Sequence, residues 1–191
     1  MTEIIETSDD GRYRLRLEPD TDAQNPRAMY DHLTHVITLP DKHYADVDKD
    51  GGGPLEDGWN QFKHRDNAVE LFTRWARVFH GAVVTEDQTH DGPSTIWYLM
   101  PEGIAEVNDP KEYIRSEIAE YRAWARGEVY GHIIEKAVTW EPVPDGDEDV
   151  ILGARTTWEE VTDGSCWGLI TYEWAEQEAK DQFTAYLESL R

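Results

Sequence analysis

The sequence predicts an α+β fold in which antiparallel hairpins form at least one sheet and about three helices pack on it. Two observations carry this prediction. Short segments that alternate apolar and polar residues flank turn sequences, as in β-hairpins, and three longer segments repeat apolar residues at helical spacing. With 39% hydrophobic residues among 191, the chain can build a packed core. We expect a single domain over 1–191, with a possible division into two lobes near 101–109.

Hairpins account for most of the expected strands. In the first, Ser8-Asp-Asp-Gly11 is a turn sequence, and Tyr13, Leu15 and Leu17 alternate with arginines, so one strand face should be buried. A separate strand is expected from Leu33 to Leu39, where β-branched residues precede a proline. The hairpins are expected at 3–18, at 82–100 and, with an acidic tip, at 128–161.

Three helices are expected, at 66–80, 110–126 and 172–190. Asp66 is a candidate cap for the first helix, and Gly81 suits the position after its end. Asp109-Pro-Lys-Glu112 opens the second helix with an N-cap residue, a proline at the first turn and a glutamate at the third position. The glycine- and aspartate-rich segment 41–58 is expected to be a loop without regular structure.

The charge of the chain limits its partners. It contains 40 Asp and Glu against 18 Lys and Arg, a formal net charge of −22. Such a density repels nucleic acid, anionic lipid and phosphorylated substrates, so we expect no direct nucleic-acid or membrane binding. Cations and basic protein surfaces are the favoured partners. Solubility and adaptation to high salt are two simpler explanations of the same charge.

The negative charge is concentrated in the last 51 residues, where 13 acidic residues face 3 basic ones. Carboxylates at this density could imitate the phosphate spacing of a nucleic-acid duplex, and we expect them to bind a basic partner. The expected partner-binding residues are Asp145, Asp147, Glu148 and Asp149 at the hairpin tip, Glu159, Glu160 and Asp163 on the next strand, and Glu173 and Glu176 on the last helix.

One segment resembles half of a calcium-binding loop. Asp46, Asp48 and Asp50, followed by a glycine, match the opening of an EF-hand. The second half of the pattern fails, because Pro54 stands at the ninth position and the short Asp57 at the twelfth. We therefore expect no metal site and no cofactor, with these three aspartates as weak candidates. Three nearby histidines, at 32, 35 and 43, do not complete a ligand set.

Cys166 is the single cysteine, so no internal disulfide can form. With a tryptophan beside it on a strand, we expect it to be a buried structural residue that reacts slowly with thiol reagents. The alternative is a nucleophile that draws on a histidine such as His132. The single cysteine, the lack of a signal sequence at the start and the lack of a long apolar segment indicate a cytoplasmic protein.

Two groups of motifs resemble an uncharacterised family of acidic proteins found on phages, plasmids and other mobile elements. One is the acidic Asn-Pro-Arg segment from Leu17 to Arg27, and the other combines Gly127-Glu-Val-Tyr-Gly131 with Ser165-Cys-Trp-Gly168, which that family carries as a turn. The resemblance covers about a third of the chain. The chain departs from the family pattern in its middle part, where Asp31-His-Leu-Thr34 only partly matches the family's motif. It implies a mobile-element setting and no defined chemistry.

The sequence thus favours an acidic accessory protein of a phage or mobile element. We expect it to bind, and so inhibit, a basic nucleic-acid-binding host or defence protein, as a mimic of DNA and without catalysis. A metal-dependent or Cys/His hydrolase and a plain salt-adapted structural protein are the alternatives. The sequence determines neither the partner, nor the host, nor the oligomeric state.

Overall fold

A computed structural model describes residues 2–29, 31–38, 53–87, 95–140 and 155–191 of the chain. These ranges contain helices and two antiparallel sheets, which confirms the α+β prediction. The strands are β1 (Glu3–Thr7), β2 (Tyr13–Pro19), β3 (Thr34–Thr38), β4 (Val83–Asp87), β5 (Thr95–Leu99), β6 (Val129–Trp140) and β7 (Arg155–Ile170). The helices are α1 (Pro26–Met29), α2 (Glu56–Phe62), α3 (Ala68–His80), α4 (Pro101–Ile104), α5 (Pro110–Ala125) and α6 (Tyr172–Ser189).

The chain divides into two compact units. Unit 1 combines residues 1–23 with residues 123–191, and unit 2 consists of residues 24–122. The helices that the structure describes include none that is long and apolar enough to cross a membrane.

Unit 1 is a four-stranded antiparallel sheet, in the order β1-β2-β6-β7, with α6 packed on one face. The alternation of β2 explains this arrangement, because Tyr13, Leu15 and Leu17 are buried in the core that α6 covers. The arginines between them point to the opposite face. There the Nε atom of Arg14 donates to the Glu135 carboxylate at 2.6 Å, and its guanidinium lies 4.3 Å from the ring centroid of Trp158.

Unit 2 is a three-stranded antiparallel sheet, in the order β3-β5-β4, with helices on both faces. All five residues of the central strand β5 are buried, as expected for a strand with a neighbour on each side and a helix on each face. Helices α2 and α3 cover one face through Trp59 and Phe72. Helix α5 covers the other face through Ile114 and Ile118.

Local structure differs at two places from what the sequence or the family resemblance indicates. Helix α2 begins at Glu56, within the segment expected to be an irregular loop, because Leu55 and Trp59 are buried in the core of unit 2 and fix this part of the chain. Strand β7 continues to Ile170 through Ser165–Gly168, a segment that the resembled family carries as a turn. Its pairing with β6 shifts register at two places, so the glycines are accommodated within the strand.

Candidate functional site

Four carboxylates from two distant parts of the sequence form an acidic surface on unit 1. Glu3 and Glu6 come from the edge strand β1, and Glu173 and Glu176 come from the first turns of α6. The Tyr172 hydroxyl connects them by donating to Glu3 at 3.1 Å, and both partial burial and this hydrogen bond raise the pKa of Tyr172. We call these four glutamates the acidic surface.

One cation partly neutralises the acidic surface. Lys180 Nζ lies 2.6 Å from Glu176 Oε1, and this hydrogen bond, together with the charges of Glu176 and Glu6, raises the pKa of Lys180. Glu3, Glu6 and Glu173 are exposed and form no ion pair with a described residue. The surface therefore keeps a net negative charge that an external basic group could meet.

Among the other carboxylates expected to bind a partner, the two neighbours on β7 do not share a face. Glu159 is paired in register with Lys136 and Glu160 with Glu135, so these neighbours project from opposite faces of β7. Asp163 is exposed and has a positive φ of 57° beside the irregular part of the strand. The tip residues Asp145, Asp147, Glu148 and Asp149 lie outside the described residues, so their role stays a prediction.

Three tryptophans of unit 1 are exposed, although most tryptophans in strands belong to a core. Their exposed fractions are 58% for Trp140, 45% for Trp167 and 52% for Trp174. Trp174 follows Glu173 in α6 and points about 100° further around the helix, so it lies beyond the acidic surface on the exposed side of α6. Large aromatic side chains next to charged groups are typical of residues that dominate binding energy at protein interfaces.

A second cluster on unit 1 contains the single cysteine. The expectation that Cys166 is buried was wrong, because Cys166 is exposed on β7 at the edge of the sheet. It lies opposite His132 of β6 in the strand register, so both side chains project from the face that α6 covers. Register shifts on both sides isolate this pair from the regular ladder. We call Cys166 and His132 the thiol pair.

His132 of the thiol pair is 3% exposed, and its Nδ1 atom has no hydrogen-bond partner among the described residues. Burial lowers the pKa of His132, while the charge of Glu178 on α6 acts in the opposite direction. A histidine held neutral by burial can accept a proton near neutral pH. The alternative considered for Cys166 from the sequence is a nucleophile assisted by His132. The register places the two residues opposite each other, while the thiol itself donates to the Trp167 carbonyl at 3.9 Å.

The chain was compared with known proteins. No protein-family model, curated protein or solved structure matches the chain.

Unit 2 contains a buried polar cluster that sequence reasoning missed. Glu117 of α5 is 6% exposed and accepts a hydrogen bond from Arg27 at 3.2 Å and another from the hydroxyl of Thr34. His32 Nδ1 lies 3.5 Å from the same carboxylate. Burial, followed by the hydrogen bond to Glu117, raises the pKa of Tyr113 to about 12. The sequence around Arg27 does not indicate this cluster, because Glu117, the partner of Arg27, lies 90 residues away.

The structure describes only some of the residues considered as metal ligands. Asp46, Asp48 and Asp50 lie outside the described residues. Within the described ranges no group of three or more His, Cys, Asp or Glu side chains could hold a metal ion. His32 and His35 do not converge, since His32 contacts Glu117 and His35 lies against the ring of Tyr98 at a centroid distance of 5.2 Å.

Proposed function

We propose that this protein binds a basic protein through the acidic surface of unit 1. The observation that carries the proposal is that β1 and α6 bring Glu3 and Glu6 close to Tyr172, Glu176 and Lys180. Glu173 lies one helical turn before Glu176, and among the described residues Glu176 is the only one of the four glutamates that is paired with a cation. Exposed charges accelerate association with an oppositely charged partner, and a partner that also reaches the exposed Trp174 on the same helix would gain apolar contact area that slows dissociation.

The proposal includes the kind of partner. A nucleic-acid-binding protein presents clustered lysines and arginines to phosphates, and carboxylates can occupy the same groups. In the mobile-element setting that the sequence motifs resemble, the partner would be a cytoplasmic host or defence protein, and occupation would inhibit it. The hairpin-tip carboxylates at 145–149 belong to this proposal as an extension of the acidic surface. No catalysis is required.

The test starts with capture of partners on the immobilised protein at about 50 mM salt, followed by elution at about 500 mM. A captured partner is then used in association kinetics with a triple charge reversal of the acidic surface, Glu3→Lys, Glu6→Lys and Glu173→Lys. We expect the association rate to fall by about tenfold or more, because changes in exposed interface charges act chiefly on that rate. Trp174→Ala should raise the dissociation rate instead.

The matched control reverses three exposed glutamates of unit 2, Glu102, Glu106 and Glu112, so that the net charge changes equally. This control should leave the association rate within about twofold of the wild type at physiological salt, where screening limits long-range effects. Equal slowing by both triple variants would reduce the acidity to a general solubility feature. A partner that binds DNA and this protein at the same time would exclude mimicry.

The register of the thiol pair favours a second candidate function, in which Cys166 acts as a nucleophile. In this reaction the thiol would leave the Trp167 carbonyl, to which it donates at 3.9 Å, and reach His132, which would take its proton while the sulfur electron pair attacks an electrophilic carbon. Alkylation by iodoacetamide follows the same course, since a carbon–sulfur bond forms and iodide leaves. It therefore reports on the pair without knowledge of a substrate.

We expect the exposed Cys166 to be alkylated in the native protein at neutral pH, and His132→Gln to slow the reaction by about tenfold or more. The measurement is the alkylation rate between about pH 6 and pH 9. Glu178→Gln provides a milder control, since it lowers the pKa of His132 further and should shift the pH profile without emptying a buried position. Identical pH profiles in all three proteins would remove His132 from the reaction and leave an ordinary surface thiol.

A further inference from the structure

A groove of about 990 Å³ in unit 2 is independent of both candidate sites on unit 1. Helix α3 forms one wall of the groove, with Thr73, Arg74 and Arg77, and strand β4 contributes Val84 and Glu86. The segment between α2 and α3 completes the lining. Among the strands that the structure describes, β4 pairs with β5 alone, so it forms an edge of its sheet.

The groove is unusually basic for a chain with a net charge of −22. Lys63, Arg65, Arg74 and Arg77 all line it, all are exposed, and none forms an ion pair within the described parts of the chain. In contrast, several arginines elsewhere in the described structure are paired with carboxylates, among them Arg14, Arg27 and Arg122. The cations of the groove are thus available to an external anion.

The groove also contains apolar surface. Val78 lines it while 66% exposed, and buried Trp59 and Val84 form part of the same lining. An apolar side chain with this exposure gains free energy when a ligand covers it, at about 25 cal/mol per Å² of buried apolar area. A ligand that suits the groove therefore combines negative charge with apolar groups.

An extended peptide satisfies these requirements together. An edge strand offers backbone donors and acceptors at the spacing of a β-ladder, and a peptide strand can pair with them while its alternate side chains enter a neighbouring groove. Acidic side chains of such a peptide can meet Arg74 and Arg77, and small apolar side chains can cover Val78 and Val84.

Nucleic acid fits the same groove less well. The groove also carries Asp66, Glu70 and Glu86, which repel a backbone with a phosphate at every residue. The net charge of the whole chain acts in the same direction. A peptide can place its acidic side chains only opposite the cations.

We propose that unit 2 binds an extended acidic peptide segment in this groove by addition of a strand to β4, with Arg74 and Arg77 recognising its carboxylates. This site is separate from the acidic surface and binds a ligand of the opposite charge. Its failure would leave the function proposed for unit 1 intact, because the two sites share no residue.

The probe is a fluorescein-labelled decapeptide of alternating glutamate and valine, with binding to the full chain followed by fluorescence anisotropy. We expect Arg74→Glu combined with Arg77→Glu to weaken binding by about tenfold or more, because the two changes replace attraction for the peptide carboxylates by repulsion. The same peptide with N-methyl groups at alternate residues should lose binding comparably, since it cannot form the ladder. A single Arg77→Gln variant repeats the test if the double variant fails to fold.

The matched control is Lys111→Glu combined with Arg115→Glu, which changes the charge of exposed positions on α5 by the same amount. It should leave the affinity within about twofold. Absence of probe binding, an equal loss in the control, or undiminished binding of the N-methylated peptide would each overturn strand addition in this groove. Tighter binding of a single-stranded DNA decamer than of the peptide would overturn the peptide assignment.

Discussion

At the scale of single residues, Glu117 shows how a buried charge is made tolerable in unit 2. Its carboxylate is reached by the guanidinium of Arg27, which is 7% exposed, and by the hydroxyl of Thr34. Arg27 also donates to the Thr34 carbonyl at 2.8 Å and lies over Trp97 at 5.0 Å. A buried ion pair adds little net stability, but removal of one partner leaves an uncompensated charge out of water.

We therefore predict that Glu117→Ala lowers the free energy of unfolding by about 3–5 kcal/mol. Glu112→Ala on the same helix is the matched control. Glu112 pairs with Arg115, but both side chains are largely exposed, so its loss should change stability by about 0–1 kcal/mol. Urea unfolding of the full chain measures both variants. A cost for Glu117→Ala no larger than the control would show that Arg27 finds compensation elsewhere. The double change Arg27→Met and Glu117→Leu should recover much of the loss.

At the scale of elements, the β6–β7 hairpin has a position where a facing aromatic ring leaves room for glycine alone unless the ring moves. Gly131 of β6 lies beneath the indole of Trp167, and a Cβ atom added to Gly131 would stand 2.2 Å from Trp167 Cε3. No side chain tolerates such a distance, so the ring would have to move. The aromatic ring and the bare backbone thus fit each other across the two strands.

Gly131→Ala is accordingly predicted to lower the free energy of unfolding by about 1–3 kcal/mol through overpacking. Trp167→Ala combined with Gly131→Ala removes the clash, so the cost of the alanine at 131 should largely disappear in that background. Urea unfolding of the four proteins of this double-mutant cycle gives the coupling between the two positions. Additive costs would show that the ring does not constrain Gly131.

Elements were predictable where the pattern that specifies them is local. The alternation in β2, the proline and capping residues before α5, and Gly81 with its φ of 66° after α3 all depend on neighbours in the sequence. Helix α2 was missed because its two buried residues, Leu55 and Trp59, gain their environment from α3 and β5. Cys166 was misjudged for a related reason, since its exposure depends on β7 being an edge strand.

Only two of the four glutamates of the acidic surface could be predicted from the sequence. Glu173 and Glu176 stand on a helix that the sequence indicates, and their exposure follows from its periodicity. Glu3 and Glu6 join them because β1 lies at the sheet edge beside α6, which is a consequence of strand order. A charge count along the sequence cannot contain that information, because the two groups are separated by almost the whole chain.

At the scale of the whole molecule, the two units differ in charge as well as in architecture. Unit 1 has 22 acidic and 8 basic residues, whereas unit 2 has 18 and 10. The excess of negative charge in unit 1 agrees with the proposal that its partner is basic. The groove of unit 2, with four cations in its lining, is the local exception to the charge of the chain. Under the two proposals, each unit binds a different class of protein surface.

The insertion of unit 2 between β2 and β6 sets an order of events during synthesis. The β1–β2 hairpin leaves the ribosome first, but its partner β6 follows only after about 110 further residues, which takes roughly 5–20 s at ordinary elongation rates. Throughout that interval Leu15 and Leu17 lack the core in which they are finally buried. All of unit 2 has been synthesised before β6 appears. The nascent chain therefore carries an apolar hairpin without its core until β6 and α6 have been made, and chaperones can bind it during that time.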